Sequence, residues 1–382
     1  MYKYKCLNPI AAIGLNNFSA DYVMAEENEA ADAILVRSAK MHDMEFAPEL
    51  KAIARAGAGV NNIPLDRCAG QGIVVFNTPG ANANGVKELF VFAAIASLRD
   101  IVGGISWTKS EAGNPDIAAL TEKEKKRFVG HEIMGKKLGV IGLGAIGAKV
   151  ANTAIDLGMS VTGFDAFLND RMRAALNPAV KIASSNEEVV ACSDMITLHV
   201  PALPSTVGMI NSEMLSNAKD GLVVINLARD TLVDIPSMKA ALESGKVAKY
   251  VCDFPTGDAS DLPNTILIPH LGASTEESED NCAVMAVQEL SDFLENGNIR
   301  NSVNYPAADL GPVKGTRVTV CHKADADVQA ITDAIKAGGA SIGDMVSKTR
   351  GDFAYSMFDI TGSADAEKTA AVDGVIRVRV IG

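Results

Sequence analysis

Paired cysteines are absent from this sequence of 382 residues. The six cysteines are scattered along the chain, without a CxxC spacing: Cys6, Cys68, Cys192, Cys252, Cys282 and Cys321. Zinc sites and disulfide frameworks both require characteristic cysteine spacings, so this distribution favours neither. We therefore expect no bound metal, and buried thiols in a reducing compartment such as the cytoplasm.

Positive charge is also scarce, because 35 Lys and Arg stand against 47 Asp and Glu, for a formal net charge of -12. This excess of carboxylates argues against a nucleic-acid partner, since binding to phosphates needs clustered Lys and Arg. The same charge repels an anionic substrate, so any anion site must be a local cluster of cations.

Long apolar runs are missing as well. Residues 1–9 include two lysines but only a short apolar stretch, which does not predict a signal peptide. No apolar run reaches the roughly 20 residues that a membrane-spanning helix needs, so we expect no membrane partner.

Short apolar runs alternate with helical patterns along most of the chain. Strands are predicted at residues 33–36, 138–141, 160–164, 195–198 and 222–225, and helices at 86–99, 148–157 and 237–244. Strands separated by helices are typical of βαβ units, so the sequence predicts an α/β fold with a largely parallel sheet.

Two stretches of different composition suggest boundaries. Residues 103–130 are rich in glycine and charge, and the charged run at 122–127 within them predicts a solvated helical face. Residues 304–315 resemble a linker. Beyond the linker, strands at 316–321 and 375–381, two shorter strands between them and two helices fit a small βαββαβ module.

Gly142, Gly144 and Gly147 form a GxGxxG pattern that follows a predicted strand and opens a predicted helix. The pattern alone is weak in a chain with 33 glycines, but this context favours a dinucleotide site at the helix N-terminus. Asp165 ends the next strand, where a carboxylate binds the adenosine ribose and repels a 2′-phosphate; the alternative is that it caps a surface turn. The sequence predicts NAD rather than NADP.

The glycine pattern begins near residue 140, so a complete α/β segment precedes it and is the natural source of substrate contacts. Hydride transfer from an alcohol needs a base, usually histidine, and a cation such as arginine for the substrate carboxylate. Arg229 and His270 follow predicted strands, whose ends line the ligand crevice of an α/β sheet. His199 also ends a strand and is expected to contact the cofactor, whereas surface or core roles are expected for His42, His131 and His322.

Eight stretches together resemble the D-2-hydroxyacid dehydrogenase family, in particular its members that act on 3-phospho-D-glycerate. They follow the family's order over most of the chain: RAGAGVNNIPLD at 55–66, FNTPGAN at 76–82, GHEIMGKKLG at 130–139, GLGAIG at 142–147, LHVP at 198–201, NLARD at 226–230, PHLGAST at 269–275 and NSVNYP at 301–306.

The resemblance implies two Rossmann-like, doubly wound, parallel-sheet domains and a C-terminal ACT-like regulatory domain. The substrate domain is expected at 1–97 and 274–303, the NAD domain at 98–273, a linker at 304–313 and the ACT-like domain at 314–382. By resemblance, Arg229 binds the substrate carboxylate and carbonyl, His270 exchanges the proton, and Asp253 holds the nicotinamide amide. The remaining expected contacts are Gly59, Val60 and Asn82 for the carboxylate, and Gly142, Gly144, Ala145, Ile146, Gly147, Asp165, His199, Val200, Pro201, Ala228 and Gly272 for NAD.

The sequence departs from the family at two places. A glutamate supports the family's catalytic histidine, but Gly257 stands near that position here; Asp258 is the expected substitute, and the alternative is that His270 has no carboxylate partner. Serine-inhibited members have an Asn and a Pro-Gly after the first ACT strand, whereas this chain has His-Lys-Ala-Asp-Ala-Asp at 322–327. Feedback inhibition by serine is therefore not expected.

Arg37, Ser38 and Lys40 offer two cations and a hydroxyl within four residues, which suits a phosphate group, although ordinary surface charge is the alternative. With the ACT-like module, this favours NAD-dependent oxidation of 3-phospho-D-glycerate to 3-phosphohydroxypyruvate, the first step of L-serine biosynthesis.

The alternatives are a reductase of glyoxylate, hydroxypyruvate or another short 2-keto acid and, remotely, an NAD-sensing corepressor. The resemblance also implies a homo-oligomer, a dimer or tetramer.

Overall fold

The computed structural model describes residues 1–26 and 29–382. It divides into two compact units, the first formed by Met1–Asn82 with Glu276–Gly382 and the second by Ala83–Thr275.

The strands, in chain order, are β1 Tyr2–Cys6, β2 Tyr22–Met24, β3 Ala33–Val36, β4 Ala52–Arg55, β5 Val74–Asn77, β6 Lys137–Ile141, β7 Ser160–Phe164, β8 Lys181–Ile182, β9 Met195–Leu198, β10 Leu222–Asn226, β11 Val247–Cys252, β12 Thr265–Leu267, β13 Thr316–Lys323, β14 Ser341–Arg350, β15 Phe353–Thr361 and β16 Val375–Ile381. The α-helices are α1 Ala12–Leu15, α2 Leu65–Gly70, α3 Ala83–Leu98, α4 Ile101–Ser110, α5 Ile117–Glu124, α6 Ala145–Asp156, α7 Asp170–Ala174, α8 Asn186–Cys192, α9 Ser212–Ser216, α10 Ile235–Glu243, α11 Gly257–Ser260, α12 Glu276–Asn296, α13 Val328–Ala337 and α14 Ala366–Ala370.

Two parallel sheets form the α/β part of the chain. The first unit has the strand order β2-β1-β3-β4-β5, and the second has β12-β11-β10-β9-β6-β7-β8. In β10, Leu222 and Val224 pack into one core cluster, while Val223 and Ile225 pack into another on the opposite face. Such strands are apolar throughout because both faces of the sheet are covered by helices. The predicted doubly wound α/β fold is confirmed.

A small antiparallel sheet of order β14-β15-β13-β16 ends the chain, with the predicted βαββαβ sequence of elements. One of its faces packs on α13, through Ile331 and Ile335. On its other face, Tyr355 and Met357 join the core of the first unit. The module is thus packed into that unit, and its likeness to an ACT domain stays a prediction.

The domain boundaries expected from the sequence also stay a prediction. The compact units divide before α3, and this helix shares a core cluster with α6, to which it contributes Val86 and Phe90. Residues 304–313, expected as a linker, include the buried side chains of Asn304 and Tyr305. The Tyr305 hydroxyl donates to the Ala69 carbonyl over 2.7 Å, so tertiary contacts hold this segment in the first unit.

Among the described residues, no single helix has both the length and the apolar composition to cross a membrane. The pair Ala83–Leu98 and Ile101–Ser110 meets these two criteria only when taken together, and it is bent by 75° at the break.

Candidate functional site in the second unit

The carboxyl ends of the parallel strands in the second unit lie at one edge of its sheet, and the predicted cofactor and catalytic residues follow these ends. Along the sheet, His270 comes after β12, Asp253 after β11, Arg229 after β10 and His199 after β9. The glycine loop follows β6, the next strand, and Asp165 follows β7. The chain order reverses between β9 and β6, and ligands of open α/β sheets bind at such a switch point.

The glycine loop leads from β6 directly into α6. Gly142 has φ +92°, and a Cβ on Gly147 would lie 1.9 Å from the carbonyl oxygen of Gly142. At Gly144, by contrast, a Cβ would meet no atom within 4 Å, and no side chain caps α6 there. The loop therefore leaves open space in front of a helix N-terminus, which suits a pyrophosphate.

Asp165 is tied to the glycine loop. One carboxylate oxygen, Oδ2, accepts the Leu143 backbone N–H at 2.8 Å, and Oδ1 accepts that of Phe167 at 2.8 Å. Each oxygen keeps a further acceptor position, so the carboxylate can also accept from ribose hydroxyls.

His199 lies beside the loop, because its backbone N–H donates to the Ile141 carbonyl over 2.8 Å. Burial of the ring lowers its pKa to about 3, so the imidazole is neutral near pH 7. Its Nε2 lies 3.0 Å from the Thr197 hydroxyl, while the buried Nδ1 has no partner among the described residues. The side chain is thus a neutral polar group with one free nitrogen.

Asp253 is 1 % exposed, and its Oδ2 accepts the Gly272 backbone N–H at 3.2 Å. Burial raises the pKa of the carboxyl, and the Gly272 N–H, His270 and Arg229 oppose this effect. Within the described part of the chain, its buried Oδ1 has no hydrogen-bond partner. An orphaned acceptor of this kind fits the amide N–H₂ that the sequence analysis assigned to it.

Arg229 and His270 both contact the ring of Phe254. The Arg229 guanidinium carbon lies 5.7 Å from the ring centroid, and the His270 ring centroid lies 4.4 Å from it at an interplanar angle of 44°. The Asn226 side chain fixes the Arg229 segment by donating to the Arg229 carbonyl over 2.8 Å. Arg229, the predicted cation, and His270, the predicted base, therefore contact the same aromatic side chain.

The backbone of His270 lies in the left-handed region, with φ 43°. Histidine is among the few non-glycine residues that populate this region appreciably. Its N–H points at the carbonyls of Asp253 and Ile268, each 2.9 Å away. The contact with Asp253 joins the His270 loop to the segment that follows β11.

Asp258 is exposed in the first turn of α11, which Thr256 caps through the Ala259 N–H. In the ranges that the structure describes, no hydrogen bond or ion pair joins its carboxylate to His270. The structure thus does not bring these two side chains together.

Candidate substrate residues in the first unit

Arg37, Ser38 and Lys40 follow β3. The Asn8 side-chain oxygen accepts the backbone N–H groups of Arg37, Ser38 and Ala39, each at 3.0 Å, which fixes the turn. The Arg37 guanidinium pairs with Glu279 at 2.5 Å, and each of these side chains is 42 % exposed. Ser38 and Lys40 are exposed.

Gly59 and Val60 lie in the loop after β4, where the Ile63 N–H donates to the Val60 carbonyl over 3.0 Å. The Asn77 side chain, at the end of β5, closes the same loop by donating to the Ala58 carbonyl over 2.6 Å. Asn82 ends this part of the unit, and its buried Oδ1 lacks a partner among the described residues.

Three residues that contact the candidate site residues were missed by the sequence reasoning: Asn8, Phe254 and Glu279. Asn8 lies two residues after the end of β1 and precedes a proline, and this Asn-Pro pair is a turn signal in the sequence. No local sequence signal marks Phe254 or Glu279, because each contacts residues that lie on other elements of the fold.

Comparison with known proteins

Residues 91–272 match the family described as D-isomer specific 2-hydroxyacid dehydrogenase, NAD binding domain. The chain is 30 % identical over 360 residues to the D-3-phosphoglycerate dehydrogenase of Haemophilus influenzae, covering 88 % of this chain and 83 % of that protein. It is 36 % identical over 295 residues to that of Bacillus subtilis, covering 74 % and 53 %. The chain spans about half the length of several curated relatives that it matches.

Two solved structures agree with this assignment. A cofactor (NAD+)-bound 3-phosphoglycerate dehydrogenase of Entamoeba histolytica aligns with a TM-score of 0.62 and 26 % identity, over 79 % of this chain and 98 % of that one. A glyoxylate reductase from Paecilomyes thermophila aligns with a TM-score of 0.64 and 25 % identity, over 79 % and 98 %. The predicted NAD-binding domain is confirmed, and the chain belongs to the D-isomer specific 2-hydroxyacid dehydrogenase family.

Proposed function

We propose that this chain oxidises 3-phospho-D-glycerate to 3-phosphohydroxypyruvate with NAD, the reaction that begins L-serine biosynthesis. The observation that carries the proposal is the placement of Arg229 and His270 against one ring, at the sheet edge that also holds the glycine loop. Similarity to curated D-3-phosphoglycerate dehydrogenases supports the choice of substrate.

In the proposed reaction, NAD supplies the acceptor for a hydride. The C2–H bond of the substrate breaks and its electron pair leaves with the hydrogen, while the hydroxyl proton passes to the imidazole of His270. The oxygen then forms a double bond to C2, which gives the 2-keto acid. The guanidinium of Arg229 holds the carboxylate and stabilises the negative charge that develops on the C2 oxygen.

The other predicted residues have positioning roles in this proposal. Asp253 would accept a hydrogen bond from the nicotinamide amide through its orphaned Oδ1. Gly144 and the start of α6 would face the pyrophosphate, with Ala145, Ile146 and Gly147. The remaining assigned cofactor contacts are His199, Val200, Pro201, Ala228 and Gly272.

The first unit supplies the candidate substrate groups. Gly59, Val60 and Asn82 are assigned to the carboxylate, and Arg37, Ser38 and Lys40 to the phosphate. The turn that carries the last three is already fixed by Asn8, which lowers the entropy lost on binding an anion. Arg37 must exchange its exposed partner Glu279 for the phosphate, and such exposed pairs are weak.

A second candidate is reduction of a short 2-keto acid without a phosphate, which is favoured by the similarity to the glyoxylate reductase and by the Arg37–Glu279 pair. Initial rates of NADH consumption with 3-phosphohydroxypyruvate, hydroxypyruvate and glyoxylate discriminate between the two. We expect the highest kcat/KM with the phosphorylated acid. A higher value with either of the others would replace the proposed substrate.

Cofactor choice gives a prediction about Asp165. The unaltered protein should use NAD in preference to NADP, because the carboxylate repels a 2′-phosphate. Asp165→Asn keeps an oxygen acceptor for the Leu143 N–H but removes the charge. We therefore expect the ratio of kcat/KM with NAD to kcat/KM with NADP to fall by about tenfold, equivalent to ~1.4 kcal/mol. The measurement is kcat/KM with each cofactor, and equal values in the unaltered protein would contradict the role of Asp165.

We also expect no feedback inhibition by serine. Where serine-inhibited members of the family have an Asn and a Pro-Gly, this chain has the segment that begins at His322, whose buried ring contacts the Ser356 hydroxyl at 2.8 Å. Millimolar L-serine should leave the initial rate nearly unchanged. A saturable inhibition curve would show that the module binds this amino acid by other groups.

A cytoplasmic homo-oligomer is part of the proposal. Support comes from α4, which has no buried residue and exposes Ile101, Val102 and Ile105 in the second unit. A second copy of the chain would cover this apolar face. Sedimentation equilibrium should give at least a dimer, and Ile105→Asp should weaken it; a monomeric unaltered protein would refute this part.

A further inference from the structure

Phe254 is placed to act on both residues of the proposed chemistry at once. Its ring lies under the Arg229 guanidinium and beside the His270 imidazole, all within the second unit. The negative face of an aromatic ring attracts a guanidinium, and a tilted contact with a second ring is favourable and directional. One side chain can therefore restrain two groups that lie on separate loops.

The ring itself is well anchored. The Phe254 backbone N–H donates to the Sγ of Cys252, 3.2 Å away, and Cys252 is buried at the end of β11. The Phe254 side chain packs against the core cluster that contains Tyr250 and Leu262. Its position thus follows from the buried strand rather than from the loops that it contacts.

Within residues 1–26 and 29–382, neither reactive side chain has another comparable restraint. In the described part of the structure, the His270 imidazole makes no hydrogen bond, and Asp258 does not reach it. Among the described residues, the Arg229 guanidinium donates to the carbonyl of the preceding residue, Ala228, over 2.6 Å and to no other group. The ring of Phe254 is therefore the contact that restrains the orientation of both groups.

We propose that Phe254 is a positioning residue, whose ring orients both the proton-accepting imidazole of His270 and the substrate-binding guanidinium of Arg229 by direct contact with each. This inference rests on the proposed function, because it gives a role to residues that the proposal assigns. It predicts that the aromatic ring, rather than the volume of the side chain, is what the site requires.

The test compares Phe254→Leu, which keeps an apolar side chain, with Phe254→Tyr, which keeps the ring. With the substrate that the unaltered protein prefers, Phe254→Leu should lower kcat and raise KM by about 2–12-fold each, the worth of an aromatic contact. Phe254→Tyr should restore both within about twofold, and the affinity for NAD should be unchanged in either variant. Equal losses in the Leu and Tyr variants would mean that Phe254 only supports the fold.

A double-mutant cycle separates action through His270 from a general effect. In the His270→Asn background, adding Phe254→Leu should lower kcat no further, although it should still raise KM through Arg229. A further loss of kcat of the same size as in the unaltered background would overturn the positioning of His270.

A spectroscopic measurement makes the inference independent of activity. The ring-proton resonance of His270, assigned by its loss in His270→Asn, lies in the ring current of Phe254. It should move in Phe254→Leu and stay close to its position in Phe254→Tyr. If no 2-hydroxy acid is oxidised, the proposed function fails, whereas an unmoved resonance in Phe254→Leu contradicts the positioning itself.

Discussion

Replacing His270 by Asn should lower kcat by roughly 10²–10⁴-fold, the usual worth of a positioned acid–base group. The substitution removes the nitrogen that accepts the hydroxyl proton. Asn also tolerates the left-handed backbone that His270 adopts, so the loop should keep its conformation. The initial rate of NADH formation under saturating substrate is the measurement.

Two controls belong with this substitution. The affinity for NAD, followed by protein fluorescence, should change little, because the groups assigned to adenosine and pyrophosphate lie after β6 and β7. His270→Gln should give the same loss of kcat if the imidazole, rather than the backbone, is responsible. A near-normal kcat in both variants would show that His270 does not accept the hydroxyl proton and would leave Lys40 or His199 as candidates for this role. Of these, His199 is a poor base, because its pKa is about 3.

The second large effect is expected from Arg37→Ala, with a KM for the phosphorylated substrate raised about 10–150-fold. This corresponds to roughly 1.5–3 kcal/mol for a lost charge-assisted hydrogen bond. The KM for the matching substrate without a phosphate should barely change, since it makes no use of that charge. Measuring kcat and KM for both substrates with one preparation tests this selectivity.

Glu279→Gln is the matched control for Arg37, because it breaks the same exposed ion pair without removing the cation. It should leave the KM for the phosphorylated substrate unchanged or lower it, since Arg37 is then free for the phosphate. Both variants should fold normally, because Asn8 holds the turn through backbone groups. If Arg37→Ala raised the KM for both substrates equally, Arg37 would stabilise the fold rather than bind the phosphate.

The strands were predictable because they are buried on both faces. The runs at 33–36 and 195–198 match β3 and β9 at both ends, since a parallel strand covered by helices is apolar at every position. The glycine loop was predictable for a different reason. Only glycine fits at position 147, because a Cβ there would lie 1.9 Å from the carbonyl oxygen of Gly142, so the spacing itself encodes the turn from strand to helix.

Contacts between distant residues were not predictable. Arg37 pairs with Glu279 from α12, and His270 lies against Phe254 from the preceding strand end. Such pairs leave no periodic signal in the sequence, because the pattern around each residue reflects only its own helix, strand or turn and not its distant partner. Asp258 was the expected partner of His270 because it adjoins Gly257, which stands near the position of the family's glutamate. In the structure, Thr256 caps α11 and Asp258 lies in its exposed first turn.

The proposed activity is tested most directly by NADH fluorescence with the unaltered protein, NAD and three acids: 3-phospho-D-glycerate, its L isomer and D-glycerate. The proposal assigns separate groups of the chain to the carboxylate, the C2 hydroxyl and the phosphate of the substrate. It therefore predicts rapid NADH formation from the phosphorylated D isomer, slow formation from D-glycerate and none from the L isomer. Failure to form NADH from 3-phospho-D-glycerate, or faster formation from D-glycerate, would contradict the account.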